Sequence, residues 1–202
     1  MVPLQFTDSH CHLTDTKFDS DLDAVLSRAR EAGVVRFITI GATGDFSHNA
    51  KAVALARRHS TVFATVGVHP HDAETITDGQ YNELRGLAAD PNVVGLGETG
   101  LDYFYDLSPR DVQRCHFRRF IRLARELNKP LSMHIRDAHT EAAHILCEEG
   151  AGDISGVVHC FTGTRADASS FLGLGLSISF SGIITFKNAG VLREVVPVVP
   201  MD

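Results

Sequence analysis

Basic residues are in the minority in this chain. Nineteen Lys and Arg stand against 25 Asp and Glu, a formal charge of -6. A protein that holds nucleic acid mainly by counterion release carries a basic stripe, and none is visible. An anionic substrate would therefore need local cations, a role that metal ions can fill. No run approaches the roughly 18 apolar residues of a membrane-spanning helix, and Met1 is followed by neither a basic nor an apolar leader segment. Neither a transmembrane nor a secreted protein is expected. The four cysteines (Cys11, Cys115, Cys147 and Cys160) show no CxxC spacing, which fits a reducing cytoplasm. No GxGxxG segment or P-loop follows the first apolar run, which weighs against a nucleotide-binding open sheet.

What is present is an alternation. Leu4 and Phe6 suggest a short buried strand. Leu22, Val25, Leu26 and Ala29 then follow the spacing of an amphipathic helix that Gly33 ends. Val34 to Ile40 reads as a strand buried on both faces, 46–58 as a helix, and Thr61 to Val68 as the next strand. Thr77-Asp-Gly-Gln80 has the form of a capping box. Val93 to Gly97 is a fourth strand. Ser108-Pro109 places a cap residue before a proline at the first helical position, and Asn128 and Pro130 close the helix that follows. Strands at Leu131 to Ile135, Gly156 to Cys160 and Leu176 to Phe180 alternate with helices at 139–149, 165–173 and about 187–196. Seven strand–helix units without a linker or repeat predict a single α/β domain over 1–202 built on a parallel sheet.

The placement of polar residues selects between an open sheet and a (β/α) barrel. His10 and His12 close the first strand, two residues apart, where a strand points both side chains to one face. His69 ends strand three, Glu98 ends strand four, His134 ends strand five and His159 ends strand six. In a (β/α)8 barrel of the TIM type, all C-terminal strand ends meet on one rim, where such enzymes place their chemistry. Five strands then deliver ligand-type side chains to one ring. His48, His59, His116, His139 and His144 fall on helices or the surface and receive no role.

Even with His69 set aside, four imidazoles and a carboxylate exceed the three protein ligands of a single open zinc site. A carboxylate such as Glu98 can serve two divalent ions, zinc, magnesium or manganese, roughly 3.5–4 Å apart. Such a pair activates water and stabilises the developing charge of a phosphodiester. Arg136, two residues beyond His134, either holds a phosphate with its planar fork or pairs with Asp137 or another rim carboxylate. Thr162-Gly163 offers backbone N–H groups to an anion at the following helix start.

Six segments together resemble the TatD family of metal-dependent deoxyribonucleases: Asp8-Ser-His-Cys-His-Leu13, Gly67-Val-His-Pro70, Gly97-Glu-Thr-Gly-Leu-Asp102, His134-Ile-Arg-Asp137, His159-Cys-Phe-Thr-Gly163 and Ile178-Ser-Phe-Ser-Gly182. The resemblance implies a TIM barrel of the amidohydrolase-like superfamily and metal-dependent hydrolysis of DNA, often as a 3′–5′ exonuclease on single-stranded ends. It further implies that His10 and His12 hold one ion, that Glu98 is the catalytic bridge, and that His134 and His159 hold the other ion. His69 is then a rim residue near metals or substrate.

The same resemblance implies a further strand ending in Glu-Thr-Asp-Ser-Pro, whose Asp is a ligand and base. The sequence reaches Met201-Asp202 where that strand would begin. Since an eight-unit barrel takes about 250 residues, the last βα unit is expected to be missing from these 202 residues, with lower activity and stability than an extended form. Two other functions fit the same residues. One is a metal-dependent ester hydrolase such as a D-aminoacyl-tRNA deacylase. The other is a truncated metal-binding form without turnover.

Overall fold

Apolar runs of five to seven residues, closed by glycine or by a polar residue, are too short for helices and become strands buried between helical layers. The computed structural model of the protein describes residues 4–200. Met201-Asp202, where the resemblance places the start of an acidic strand, lies outside them. The strands are β1 (Phe6–Cys11), β2 (Val34–Ile40), β3 (Val62–Val66), β4 (Val93–Asp102), β5 (Leu131–Arg136), β6 (Gly156–His159) and β7 (Ser177–Ile178). Between and after them come α1 (Leu22–Glu31), α2 (His48–Arg58), α3 (Asp78–Ala88), α4 (Arg110–Leu127), α5 (His139–Glu148), α6 (Arg165–Gly173) and α7 (Gly190–Val195). The sheet order is β1 through β7 in sequence, and the paired strands run parallel. This is the α/β class and the TIM-barrel succession of βα units, carried through seven strands.

The chain divides into two compact units, one of residues up to 68 with 77–98, the other of 69–76 with residues from 99 onward. In the first unit, Ile40, Ala52, Ala56, Val62, Ala64, Val66, Leu84 and Leu96 are buried. Gly67 is needed there because a Cβ on it would lie 2.7 Å from the backbone of Gly97. In the second unit, α4 is the anchor. Phe117, Phe120 and Ile121 have no exposed surface, and each fully buried side chain of this size contributes about 1.5–3 kcal/mol. Among the described residues no helix is long and apolar enough to cross a membrane.

Four local expectations change. Leu4 and Phe6 are 78% and 53% exposed, because β1 pairs with β2 alone among the described strands. β4 runs to Asp102, so Glu98 lies within the strand and Asp102 ends it. Ser108 does not cap α4. Its hydroxyl donates to the His71 carbonyl at 2.7 Å and accepts from Glu74 N–H at 3.2 Å, so it holds the turn that carries His71. At the start of α6, Thr164 and Asp167 cap each other, which leaves that terminus its own anion in the Asp167 carboxylate. The capping box at Thr77 and Gln80 forms as predicted, and Asn128 ends α4 in the left-handed conformation, φ 50°.

Candidate metal centre

β1 delivers His10 within the strand and His12 one residue past its end. A register irregularity between Asp8 and Cys11 turns this segment so that both imidazoles converge with a carboxylate. His10 Nε2 lies 3.3 Å from Glu98 Oε2, and both side chains are more than nine-tenths buried. The His10 and His12 rings meet edge-on with centroids 5.1 Å apart. One ligand atom from each of His10, His12 and Glu98 lies within 4.8 Å of the others. The hydroxyl of Thr43 meets His12 Nδ1 in a short hydrogen bond, which leaves Nε2 as the nitrogen that can bind an ion. Burial, then the neighbouring His10, push the His12 pKa below the usual imidazole value, so its lone pair persists at neutral pH.

A second group belongs to the other unit. The segment Pro70–Thr75 forms a 3-10 turn whose cap is His69, and His69 Nδ1 accepts from the His71 N–H at 3.2 Å. His69, His71 and His134 offer three ligand atoms within 4.8 Å of one another. Ring centroids of His69 and His134 are 4.5 Å apart, and those of His69 and His71 4.2 Å. Beneath them sits Asp102, with no exposed surface. Its Oδ2 accepts from Nε2 of His134 at 2.8 Å and from Nε2 of His71 at 2.9 Å. Its Oδ1 accepts the backbone N–H of Phe104 at 3.0 Å and of Tyr105 at 2.8 Å. Burial alone would raise the Asp102 carboxyl, but the Tyr105 N–H and the His134 and His71 rings together hold it below the usual carboxylate range. Asp102 is thus ionised and fully bonded, the arrangement in which a carboxylate orients a ligating imidazole.

The predicted site residues fall as follows. His10, His12 and Glu98 come together. His69 sits with His134, and β5–β6 register places His159 directly beside His134, on the same face of the parallel pair. His159 belongs to neither three-residue group. Arg136 does not pair with Asp137. Its guanidinium carbon lies 3.9 Å from the Phe104 ring centroid and 4.8 Å from that of Tyr105, and among the described residues it makes no ion pair. His71, Asp102 and Thr43 were missed. The His69-Pro-His71 spacing repeats that of His10 and His12 and was a signal for the first. Asp102 closes one of the six segments of the resemblance but received no role there, and nothing in the sequence marks Thr43. One of the five histidines without a role, His48, is buried, with Nδ1 3.0 Å from Thr14 Oγ1.

Imidazole and carboxylate donors converging at this spacing fit a divalent metal ion such as zinc or manganese. Residues 7–202 match the TatD related DNase family. The chain belongs to that family. Among its relatives, the uncharacterized metal-dependent hydrolase YcfH of Escherichia coli strain K12 is 42% identical over 96% of this chain and 73% of its own length. The 3′-5′ ssDNA/RNA exonuclease TatD of Pantoea ananatis is 38% identical over 95% of this chain and 74% of its own. The crystal structure of YJJV, a TatD homologue from E. coli K12, superposes with a TM-score of 0.89 at 31% identity, over 96% of this chain and 75% of the other. This TatD-family protein is a metal-dependent hydrolase.

Proposed function

We propose that this TatD-family chain hydrolyses phosphodiester bonds of DNA from a single-stranded 3′ end, with two divalent ions. The observation that carries the reading is the convergence of His10, His12 and Glu98, with His10 Nε2 3.3 Å from the buried Glu98 carboxylate. These three residues hold one ion. His134, beside His159 on the next strand, holds the second, and Asp102 fixes its ring through Nε2. When bound, such ions lower the pKa of water toward neutrality and offset negative charge on phosphoryl oxygens. The residues of the chain do the rest. Glu98 brings a carboxylate to His10 and His12 and so adds the negative charge that a cation at the first site needs. His69 faces the same imidazole group and is placed to meet the substrate, and the Arg136 fork receives a phosphate.

The naming of a relative as an exonuclease on single-stranded DNA and RNA supports this substrate class. The four cysteines all carry free thiols, in keeping with the reducing cytoplasm in which we place the protein. The test is hydrolysis by the purified chain with Mg²⁺, Mn²⁺ or Zn²⁺. Its substrates are single-stranded DNA labelled at one end or the other, and charged tRNA. We expect nucleotide release from the 3′ end and loss of it in Glu98→Ala. Deacylation of charged tRNA without DNA cleavage makes the protein an ester hydrolase of the alternative kind. Full DNA hydrolysis by Glu98→Ala overturns the metal mechanism.

A further inference from the structure

The loop after β4 exposes large rings that the packing of the second unit does not use. Phe104 and Tyr105 are 54% and 53% exposed. Their backbone is nevertheless firmly held. Asp102 Oδ1 accepts both of their N–H groups, and the Tyr103 N–H donates to the Arg136 carbonyl at 2.9 Å. From below, the buried Gln113 side chain bonds the Asp102 N–H at 2.8 Å and the Ser108 carbonyl at 2.8 Å. Asp106 makes the turn in the left-handed conformation, φ 55°, which Asp tolerates better than most residues. A held backbone under exposed aromatics is the form of a recognition surface, because little backbone freedom remains to be lost on binding and each ring has only two torsions to fix.

The neighbours of these rings say what is recognised. Phe104 and Tyr105 stand edge to face, centroids 4.8 Å apart. The Arg136 guanidinium lies over both. On the other side, the Tyr105 ring meets that of His71 at 5.5 Å, and His71 shares Asp102 Oδ2 with His134. One continuous surface therefore runs from the imidazole group through Tyr105 to a cation resting on Phe104. Flat apolar faces beside a planar cationic fork match a nucleotide, which carries a flat base and a phosphate a few ångströms apart. Arg136 also adds a local positive charge to an acidic protein.

We infer that Phe104, Tyr105 and Arg136 form a nucleotide step. One unstacked base of a single-stranded nucleic acid lies against the aromatic pair, and its phosphate sits on the Arg136 guanidinium, next to the His69–His71–His134 group. The inference rests on the phosphodiesterase reading for the purpose of the step, but its test does not require turnover. Fluorescence anisotropy of a labelled oligothymidylate, in EDTA to prevent hydrolysis, compares the unmodified protein with Phe104→Ala/Tyr105→Ala and with Phe104→Tyr/Tyr105→Phe. Base–aromatic stacking predicts that the alanine pair weakens binding by about tenfold or more, whereas the conservative pair binds as the unmodified protein does. In the metal-loaded protein, the alanine pair is expected to lose about tenfold more kcat/KM on single-stranded DNA than on an abasic oligonucleotide of the same length, which has no base to stack.

Equal oligonucleotide affinity in the unmodified and alanine proteins overturns the step. So does an equal loss on both substrates, which would mean that the rings merely support the fold. Aromatic-dependent binding without any DNA cleavage keeps the step and removes the nuclease reading. Cleavage that ignores the aromatic pair does the reverse.

Discussion

Asp102 Oδ2 accepts from Nε2 of His134 at 2.8 Å, and the carboxylate that does so has no exposed surface. With Nε2 committed as a donor, Nδ1 is the nitrogen through which His134 can bind an ion. Asp102→Asn keeps the shape but replaces one acceptor oxygen by a donor, which cannot face two imidazole N–H groups. We expect metal affinity or activity to fall by about 10–100-fold, read by metal titration and by the rate on bis(p-nitrophenyl) phosphate. A variant with unchanged values would show that the bond orients nothing.

Removing a proposed ligand should cost more than removing its support. In His10→Ala, His12→Ala and Glu98→Ala, the bound metal is expected to drop by one ion per chain, with activity reduced by more than the roughly 100-fold upper end for an outer partner. Elemental analysis after gel filtration measures the first, and steady-state rates measure the second.

Under the proposed metal reading, protons compete with metal for His12. Burial and the adjacent His10 hold its pKa below the ordinary 6.5, so the neutral, ligating ring persists to lower pH than in free imidazole. Metal is therefore expected to be retained as pH falls to 6.5 and lost only below it. Dialysis over a series of buffers, followed by metal determination, checks this. Release centred above neutrality would contradict it.

Cys11 lies between the two histidines yet should be chemically silent. Burial, then the negative charge of Asp8, push its thiol up to about 12, and its Sγ meets the Ile38 carbonyl at 3.3 Å. Because the thiolate is the reacting form, iodoacetamide in mildly alkaline buffer is expected to label the exposed Cys115 and Cys147 and to spare Cys11 until the chain is unfolded. Peptide mass spectrometry separates the sites.

Two glycine substitutions should act in opposite directions. Gly100 has φ 142°, and a Cβ there would run into the His134 carbonyl oxygen, so Gly100→Ala is expected to destabilise by about 1–3 kcal/mol and to disturb His134. Gly86, inside α3, has nothing near the place of a Cβ. Gly86→Ala should stabilise by up to about 1 kcal/mol. Thermal unfolding of both variants tests the pair.

Most of the element order was legible in the chain, because short apolar runs, the Thr77–Gln80 box and the Asn128 stop are local signals whose chemistry does not depend on distant residues. His10, His12 and Glu98 were legible for a related reason: ligand-type side chains beside buried strands have few other uses. The second group was legible only in part. His134 and His69 were named, but His71 was not, because its value comes from a carboxylate 31 positions away in the chain.

What the sequence alone determined is the alternation of strands and helices and the residue types gathered near the strand ends. Only tertiary structure decided which groups meet. It carried β4 past Glu98 to Asp102, gave that buried carboxylate four donors, turned Ser108 from a helix cap into a prop for His71, and laid Arg136 on Phe104 and Tyr105. The physical reason is that periodicity records which face a residue is on, whereas a hydrogen bond or a cation over a ring needs a partner brought close by the packing of separate elements.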